Sequence, residues 1–292
     1  MDIALALGGG GAKGNAHIGV LRALEREGVR VRALAGTSIG GLMGTVYAAG
    51  MHPDEMLERF SELDQGILFG RSQDEGPALL GLNRVEQLLR DWFDDRTFED
   101  LPFPLALTAV DLISGRQVVL DRGDLVDAIL ATIAIPGIFP PRKTDKYELV
   151  DGGLIDPVPV RLARSLAPGL PVVAVALSRG PVDEDEELTG GYHPLPVLQR
   201  LHRLRLAQAF NIFLRSVDIG GRLLTELRLE VDKPDVLIRP EVAHIGLLDQ
   251  VDVGVLAELG GQAAEGAMDE ILRKGPWTGR LQRLWKSMRE RL

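Results

Sequence analysis

The sequence predicts an α/β fold, a layered sheet with helices on both faces. Three observations predict it. Short apolar runs of strand length recur along the 292-residue chain, segments with apolar residues three or four apart lie between them, and the first two runs end in glycine-rich turns, GGGGAKG and GTSIG.

Residues 3–7 form the first apolar run and are stopped by glycine. AHIGVLRALEREG follows, with Ile18, Leu21 and Leu24 on one face and Gly28 as the stop, a helix by spacing and by ending. Residues 29–35, rich in Val, Leu and Ala, complete a strand, helix, strand unit. Helices are predicted over 40–49 and 53–63, then an irregular stretch, QGILFGRSQDEGPALLGLN, then a helix over 82–93. Strands at 105–110 and 117–120 precede a short helix at 125–132. Further strands fall at 147–150, 172–177 and 236–238, with helices at 197–217 and 253–272. Two segments break the alternation. DEDEE, at 183–187, runs into LTGGYHP and reads as a solvated acidic loop. The closing GPWTGRLQRLWKSMRERL sets Leu281, Leu284, Trp285, Met288 and Leu292 on one helical face with Arg280, Arg283, Lys286, Arg289 and Arg291 around it. Such a helix lies on a membrane surface or docks its stripe on the domain.

Composition narrows the function classes. With 45% hydrophobic and 26% charged residues the chain can bury a large core, and the absence of a linker predicts one domain with at most an appended segment. A net charge of −9 argues against nucleic acid as the main partner, since phosphate binding needs a basic face. With no cysteine there is no disulfide framework, thiolate metal site or catalytic thiol, which fits a reducing compartment. MDIALALGGGG lacks the features of a secretory signal, and no run approaches the ~18 apolar residues of a membrane span. The expectation is a cytoplasmic protein, with peripheral contact at the inner membrane face as the form of membrane association left open.

Gly9-Gly10-Gly11-Ala12-Lys13-Gly14 matches the G-x-G-x-x-G of dinucleotide sites. That chemistry wants a carboxylate at the end of the second strand, where Leu34-Ala35-Gly36 stands, and a phosphate loop wants Ser or Thr after Lys13. Instead the second strand runs into Gly36-Thr37-Ser38-Ile39-Gly40. The glycines Gly36 and Gly40 permit a sharp turn that lifts Ser38 clear of the sheet at a helix N-terminus. A serine hydroxyl needs a base. His52 and His202 sit in helical contexts away from any strand end, whereas His193 and His244 could reach one, though neither lies in a motif. Leu149-Val150-Asp151-Gly152-Gly153 offers another base, Asp151 at a strand end, or an ordinary Asp-Gly turn.

The three motifs in this order resemble the patatin-like phospholipase family of serine lipid hydrolases. LALGGGGAKGNAHIGVLRALEREGV, AGTSIGGLMGTVYAAG, AIPGIFPP, DGGLIDPVPV and KPDVLIRPEV are all similar to family blocks. The resemblance covers 2–272 and leaves 273–292 as a separate basic amphipathic helix, with 276–292 as a contact for anionic membrane. It implies a three-layer α/β/α fold with a largely parallel or mixed sheet, and a nucleophile elbow after an early strand. It implies a Ser-Asp dyad: Ser38 the nucleophile, Asp151 the base, Gly152 and Gly153 completing its motif. The oxyanion hole falls on Gly9, Gly10, Gly11, Ala12, Lys13 and Gly14. Lys13 stands where the family often has arginine, and Asp156 where asparagine is frequent. No metal or cofactor enters this scheme. Because an aspartate of ordinary pKa, about 3.9, is a weak base, burial is expected to raise it. The substrate implied is a phospholipid or related acyl ester. Apart from the resemblance, the irregular segments 66–82 and 180–194 are candidate lids, a role their residues leave open. Two alternatives stay open: a carboxylesterase using His193 or His244 in a triad, and a lipid-binding or regulatory module of the same fold.

Overall fold

DIALAL alternates large and small side chains, Ile3, Leu5 and Leu7 against Ala4 and Ala6, and all five are fully buried. With a side-chain period of two, these sets point to opposite faces, so the strand must be covered on both. In the computed structural model, which describes residues 1–70, 78–180 and 205–274, this strand is β1 (Asp2–Leu7). It lies inside a sheet that also holds β2 (Arg30–Thr37), β3 (Leu105–Asp111), β4 (Gln117–Leu120), β5 (Arg142–Lys143), β6 (Glu148–Asp151), β7 (Val172–Val175) and β8 (Val236–Ile238). The order is β5-β6-β3-β2-β1-β7-β8, with β4 also paired to β3. The strands from β3 to β8 along that order run parallel, while β4 and β6 run antiparallel to β3 and β5 antiparallel to β6. The sheet is mixed, with a parallel centre and an antiparallel flank.

The helices are α1 (Ala16–Arg26), α2 (Ile39–Ala48), α3 (Pro53–Ser61), α4 (Gln65–Leu68), α5 (Asn83–Phe93), α6 (Leu125–Thr132), α7 (Val160–Leu166), α8 (Arg205–Asp232) and α9 (Val253–Arg273). Ile3, Leu5, Leu7, Leu34, Val173 and Val175 form the larger core with α1, α2 and α9. Ala4, Ala6, Ala35 and Ala174 face the other way, against Val160 and Ala163 of α7 and Leu229 of α8. Each fully buried Leu or Ile contributes roughly 1.5–3 kcal/mol, so the large-residue face carries most of the burial energy. The alanine face leaves room for α7. The chain leaves β1 for β2 on one side, and β7, reached later through α7, pairs with β1 on the other, so the loop after β1 opens where the strand order reverses, the place where ligands collect in open α/β sheets.

Three departures from the sequence reading have physical reasons. The helix expected to stop at 217 continues as α8 to Asp232, straight through Gly220 and Gly221. Glycine in a helix costs only about 1 kcal/mol, and the buried Thr225, Leu229 and Asp232 beyond it hold the inner face. The short α7 and the two-residue β5 carry too few residues to show a period. α4 forms within the stretch expected to be irregular. Residues 183–187, 197–204 and 276–292, with 71–77 of the first candidate lid segment and 181–194 of the second, lie outside the described residues.

Candidate active site

β2 ends at Thr37, and the next residue turns sharply. Ser38 takes φ 54° and ψ −127°, a region that strains a residue with a side chain by of order 1–3 kcal/mol. Its surroundings hold it there. The Ser38 N–H donates to Thr132 Oγ1 at 2.9 Å, and the Thr132 hydroxyl donates to the Thr108 carbonyl at 2.6 Å. Two residues on, a Cβ at Gly40 would lie 2.3 Å from the Leu7 carbonyl oxygen, so only glycine lets α2 start this close to the end of β1. Ser38 therefore sits at the N-terminus of α2 with its hydroxyl off the sheet edge. Gly36, the other elbow glycine, is in the last part of β2.

Asp151 arrives from the opposite direction. Antiparallel β6 pairs Asp151 with Ala109 of β3, and β3 registers Thr108 against Thr37. This brings a residue 113 positions away level with the nucleophile, and Ser38 Oγ donates a short hydrogen bond to Asp151 Oδ2. Gly153 donates its N–H to Asp151 Oδ1 at 2.7 Å, while Gly152 opens the short 3-10 turn that carries the chain away. The pair is closed off: Ser38 is 5% and Asp151 6% exposed. Burial pushes the Asp151 carboxyl up to about 6, against the lowering effect of the Ser38 and Gly153 hydrogen bonds. Below the pair lies a layer of threonines. Thr37 donates to the Asp156 carbonyl at 2.8 Å, which leaves Thr108 to donate to Thr37 Oγ1, also at 2.8 Å.

The glycine-rich loop lies alongside Ser38: a Cβ on Gly9 would stand 3.2 Å from the Ser38 Cβ. Its amides divide by use. Gly8 donates to the Val175 carbonyl, Gly9 to the Pro157 carbonyl and Ala12 to the Leu247 carbonyl, at 2.8–2.9 Å. The N–H groups of Gly10 and Gly11 have no hydrogen-bond partner among the described residues. Lys13 and Gly14 lie in the 3-10 turn Gly11–Asn15, and the nearly buried Lys13 faces Asp218 and Arg222 of α8 and Asp249. Burial pushes its pKa down. The Asp156 carboxylate is taken by Gln117 Nε2 at 3.1 Å and Arg228 Nη2 at 3.2 Å.

The described histidines do not join this pair. His52 caps α3 by accepting the Asp54 N–H, and His244 is exposed in the segment between β8 and α9. His193 and His202 lie outside the described residues. Among the described residues, Asp151 is the one hydrogen-bond partner of Ser38 Oγ. The sequence reading missed Thr37, Thr108 and Thr132, and also His17, which is fully buried with Nε2 2.8 Å from the Gly8 carbonyl. Thr37 adjoins the nucleophile in sequence; the other threonines carry no local signal.

Residues 5–164 match the family described as Patatin-like phospholipase. The chain belongs to the patatin-like phospholipase family. The matched region contains the glycine-rich loop, the elbow and Asp151, whereas β7, α8, β8 and α9 lie beyond it. An uncharacterized NTE family protein of Mycobacterium tuberculosis is 42% identical over 161 residues, 54% of this chain and 44% of that protein. A second from the same organism is 29% identical over 284 residues, 91% of this chain and 46% of that one. The patatin-like phospholipase domain-containing protein 6 of Mus musculus is 32% identical over 197 residues, 65% of this chain and 14% of its own length. The chain thus spans under half the length of these relatives. The crystal structure of VipD from Legionella pneumophila superposes with a TM-score of 0.51 at 12% identity, covering 91% of this chain and 66% of that one, a likeness of fold.

Proposed function

We propose that this patatin-like chain is a serine hydrolase that cleaves acyl ester bonds of phospholipids or related lipids through a Ser38–Asp151 dyad. One observation carries the reading: the Ser38 hydroxyl donates to a buried carboxylate, and the glycine-rich loop that meets Ser38 at Gly9 holds two N–H groups, of Gly10 and Gly11, with no partner among the described residues. As Ser38 Oγ attacks the ester carbonyl carbon, Asp151 takes the hydroxyl proton. The carbonyl oxygen becomes an oxyanion, and Gly10 and Gly11 are the donors that receive it. Within the six-residue oxyanion loop the reading thus narrows to these two N–H groups, each worth about 2.7–4 kcal/mol in the transition state. Asp151 returns the proton to the departing alcohol, leaving an acyl ester on Ser38. Water then gives a proton to Asp151 and attacks the acyl carbon; the bond from that carbon to Ser38 Oγ breaks, Asp151 returns the proton to Ser38 Oγ, and the fatty acid leaves.

Basicity supports the assignment. A carboxylate with a pKa of about 6 is closer to the working pH than one at 3.8, so proton transfer from the serine is less uphill. The test is acyl release from p-nitrophenyl esters and phospholipid vesicles. Ser38→Ala and Asp151→Asn are each expected to reduce turnover by at least about 10³-fold, on the scale of losing a nucleophile or its base. Equal turnover in all three proteins would refute the dyad.

No helix among the described residues is long and apolar enough to cross a membrane. Peripheral contact at an anionic cytoplasmic membrane face is proposed for 276–292 on the basic amphipathic sequence alone. Truncation after Gly275 is expected to weaken co-sedimentation with anionic vesicles, and unchanged binding would return that stretch to a packing role.

A further inference from the structure

One peptide unit in the glycine-rich loop is held at both ends. The Gly8 carbonyl accepts a hydrogen bond from His17 Nε2 at 2.8 Å, and the N–H of the same peptide, on Gly9, donates to the Pro157 carbonyl at 2.9 Å. Gly8 N–H is in turn bound to Val175 of β7. The orientation of this unit sets the direction from which the chain enters Gly10 and Gly11, whose amides have no partner among the described residues.

His17 is an odd residue for its place. It lies in the first turn of α1, fully buried, among Ala16, Ile18 and Val20, where any apolar side chain of similar size would pack. A carbonyl oxygen only accepts, so Nε2 carries the proton and Nδ1 is bare. Nδ1 is buried with no hydrogen-bond partner among the described residues. An unsatisfied buried polar atom costs stability. Burial also pushes the ring pKa down to about 4, so it stays a neutral, single-donor imidazole across the neutral range.

We infer that His17 is a positioning residue for the oxyanion hole: its Nε2–H fixes the Gly8–Gly9 peptide and thereby aims the Gly10 and Gly11 amides at the ester oxygen of a substrate attacked by Ser38. The inference rests on the hydrolase reading above. It makes His17 contribute to the transition state through the loop, without touching substrate.

Three substitutions separate this role from packing. His17→Gln keeps a side-chain N–H near the Nε2 position. His17→Asn places its amide near Nδ1, short of the Gly8 carbonyl, and His17→Leu keeps bulk and removes the donor. With a soluble p-nitrophenyl ester, His17→Gln is expected to hold kcat within about 3-fold of wild type. His17→Asn and His17→Leu are expected to lose roughly 10- to 100-fold in kcat with KM within about 2-fold, at matched folded fraction, as for a weakened oxyanion hole. Equal kcat in the Gln and Asn variants, or a loss confined to KM, would overturn the inference. So would failure of both Asn and Leu variants to fold, which would make the histidine a folding residue. An inactive wild type instead refutes the hydrolase reading, so the two failures are distinct.

Discussion

Asp151 is 6% exposed, its oxygens are held by the Ser38 hydroxyl and the Gly153 N–H, and burial still lifts its pKa from 3.8 to about 6. Catalysis needs the carboxylate, so kcat/KM for a soluble ester is expected to rise with pH through about 6 and level off above it. Stability runs the other way. A carboxyl whose folded pKa exceeds its unfolded value stabilises the fold fully below 3.8 and loses that contribution as pH rises through about 6. At pH 8 the ionised group therefore costs of order 3 kcal/mol, the shift converted at about 1.36 kcal/mol per unit. Asp151→Asn is accordingly expected to be inactive yet to melt higher than wild type at pH 8, with the gap closing toward pH 4. A lower melting temperature for the variant at pH 8 would contradict the placement of a buried, raised carboxylate.

Between elements, α1 and α9 meet backbone to backbone at two glycines. A Cβ on Gly19 would lie 1.7 Å from the Ala257 carbonyl oxygen, and one on Gly260 would lie 1.9 Å from that of Ala16. Gly19→Ala is expected to destabilise the protein by roughly 1–3 kcal/mol in urea unfolding, the usual cost of overpacking. Adding Gly260→Ala is expected to cost less than its single effect, since one separation of the helices relieves both clashes. These glycines were not legible as a packing pair, because their partners are 241 residues apart and the contact is with backbone. What was legible is contiguous. The loop after β1, the elbow before α2 and the Asp-Gly-Gly after β6 each place glycines and a reactive group within a few residues, and alternation in DIALAL marks a strand buried on both faces. The threonine layer, by contrast, is assembled by strand register, with Thr37 on β2, Thr108 on β3 and Thr132 on α6. The run of α8 past 217 was hidden because a glycine pair reads as a stop while the buried residues beyond it are spaced for a helix.

Across the whole molecule, α8 is tied to the site through charge. Arg228 bonds the Asp156 carboxylate at 3.2 Å and approaches Asp232 at 3.6 Å, with those two carboxylate side chains 2% and 1% exposed. The Asp156 carbonyl accepts from Thr37, and the next carbonyl, of Pro157, accepts from Gly9. One segment thus joins α8, the elbow and the glycine-rich loop. Arg228→Met would leave Asp156 with only Gln117 and Asp232 with only Arg161, at 4.0 Å, and is expected to cost about 3–5 kcal/mol in urea unfolding at pH 8. A loss below about 1 kcal/mol would show that solvent reaches those acids. The central claim is that this framework activates one serine, and labelling with a fluorophosphonate probe, read by intact mass and peptide mapping, tests it most directly. The account predicts a single adduct on Ser38, absent in Ser38→Ala and much slower in Asp151→Asn. No adduct at Ser38 with or without detergent, or labelling at an unchanged rate in Asp151→Asn, would contradict it.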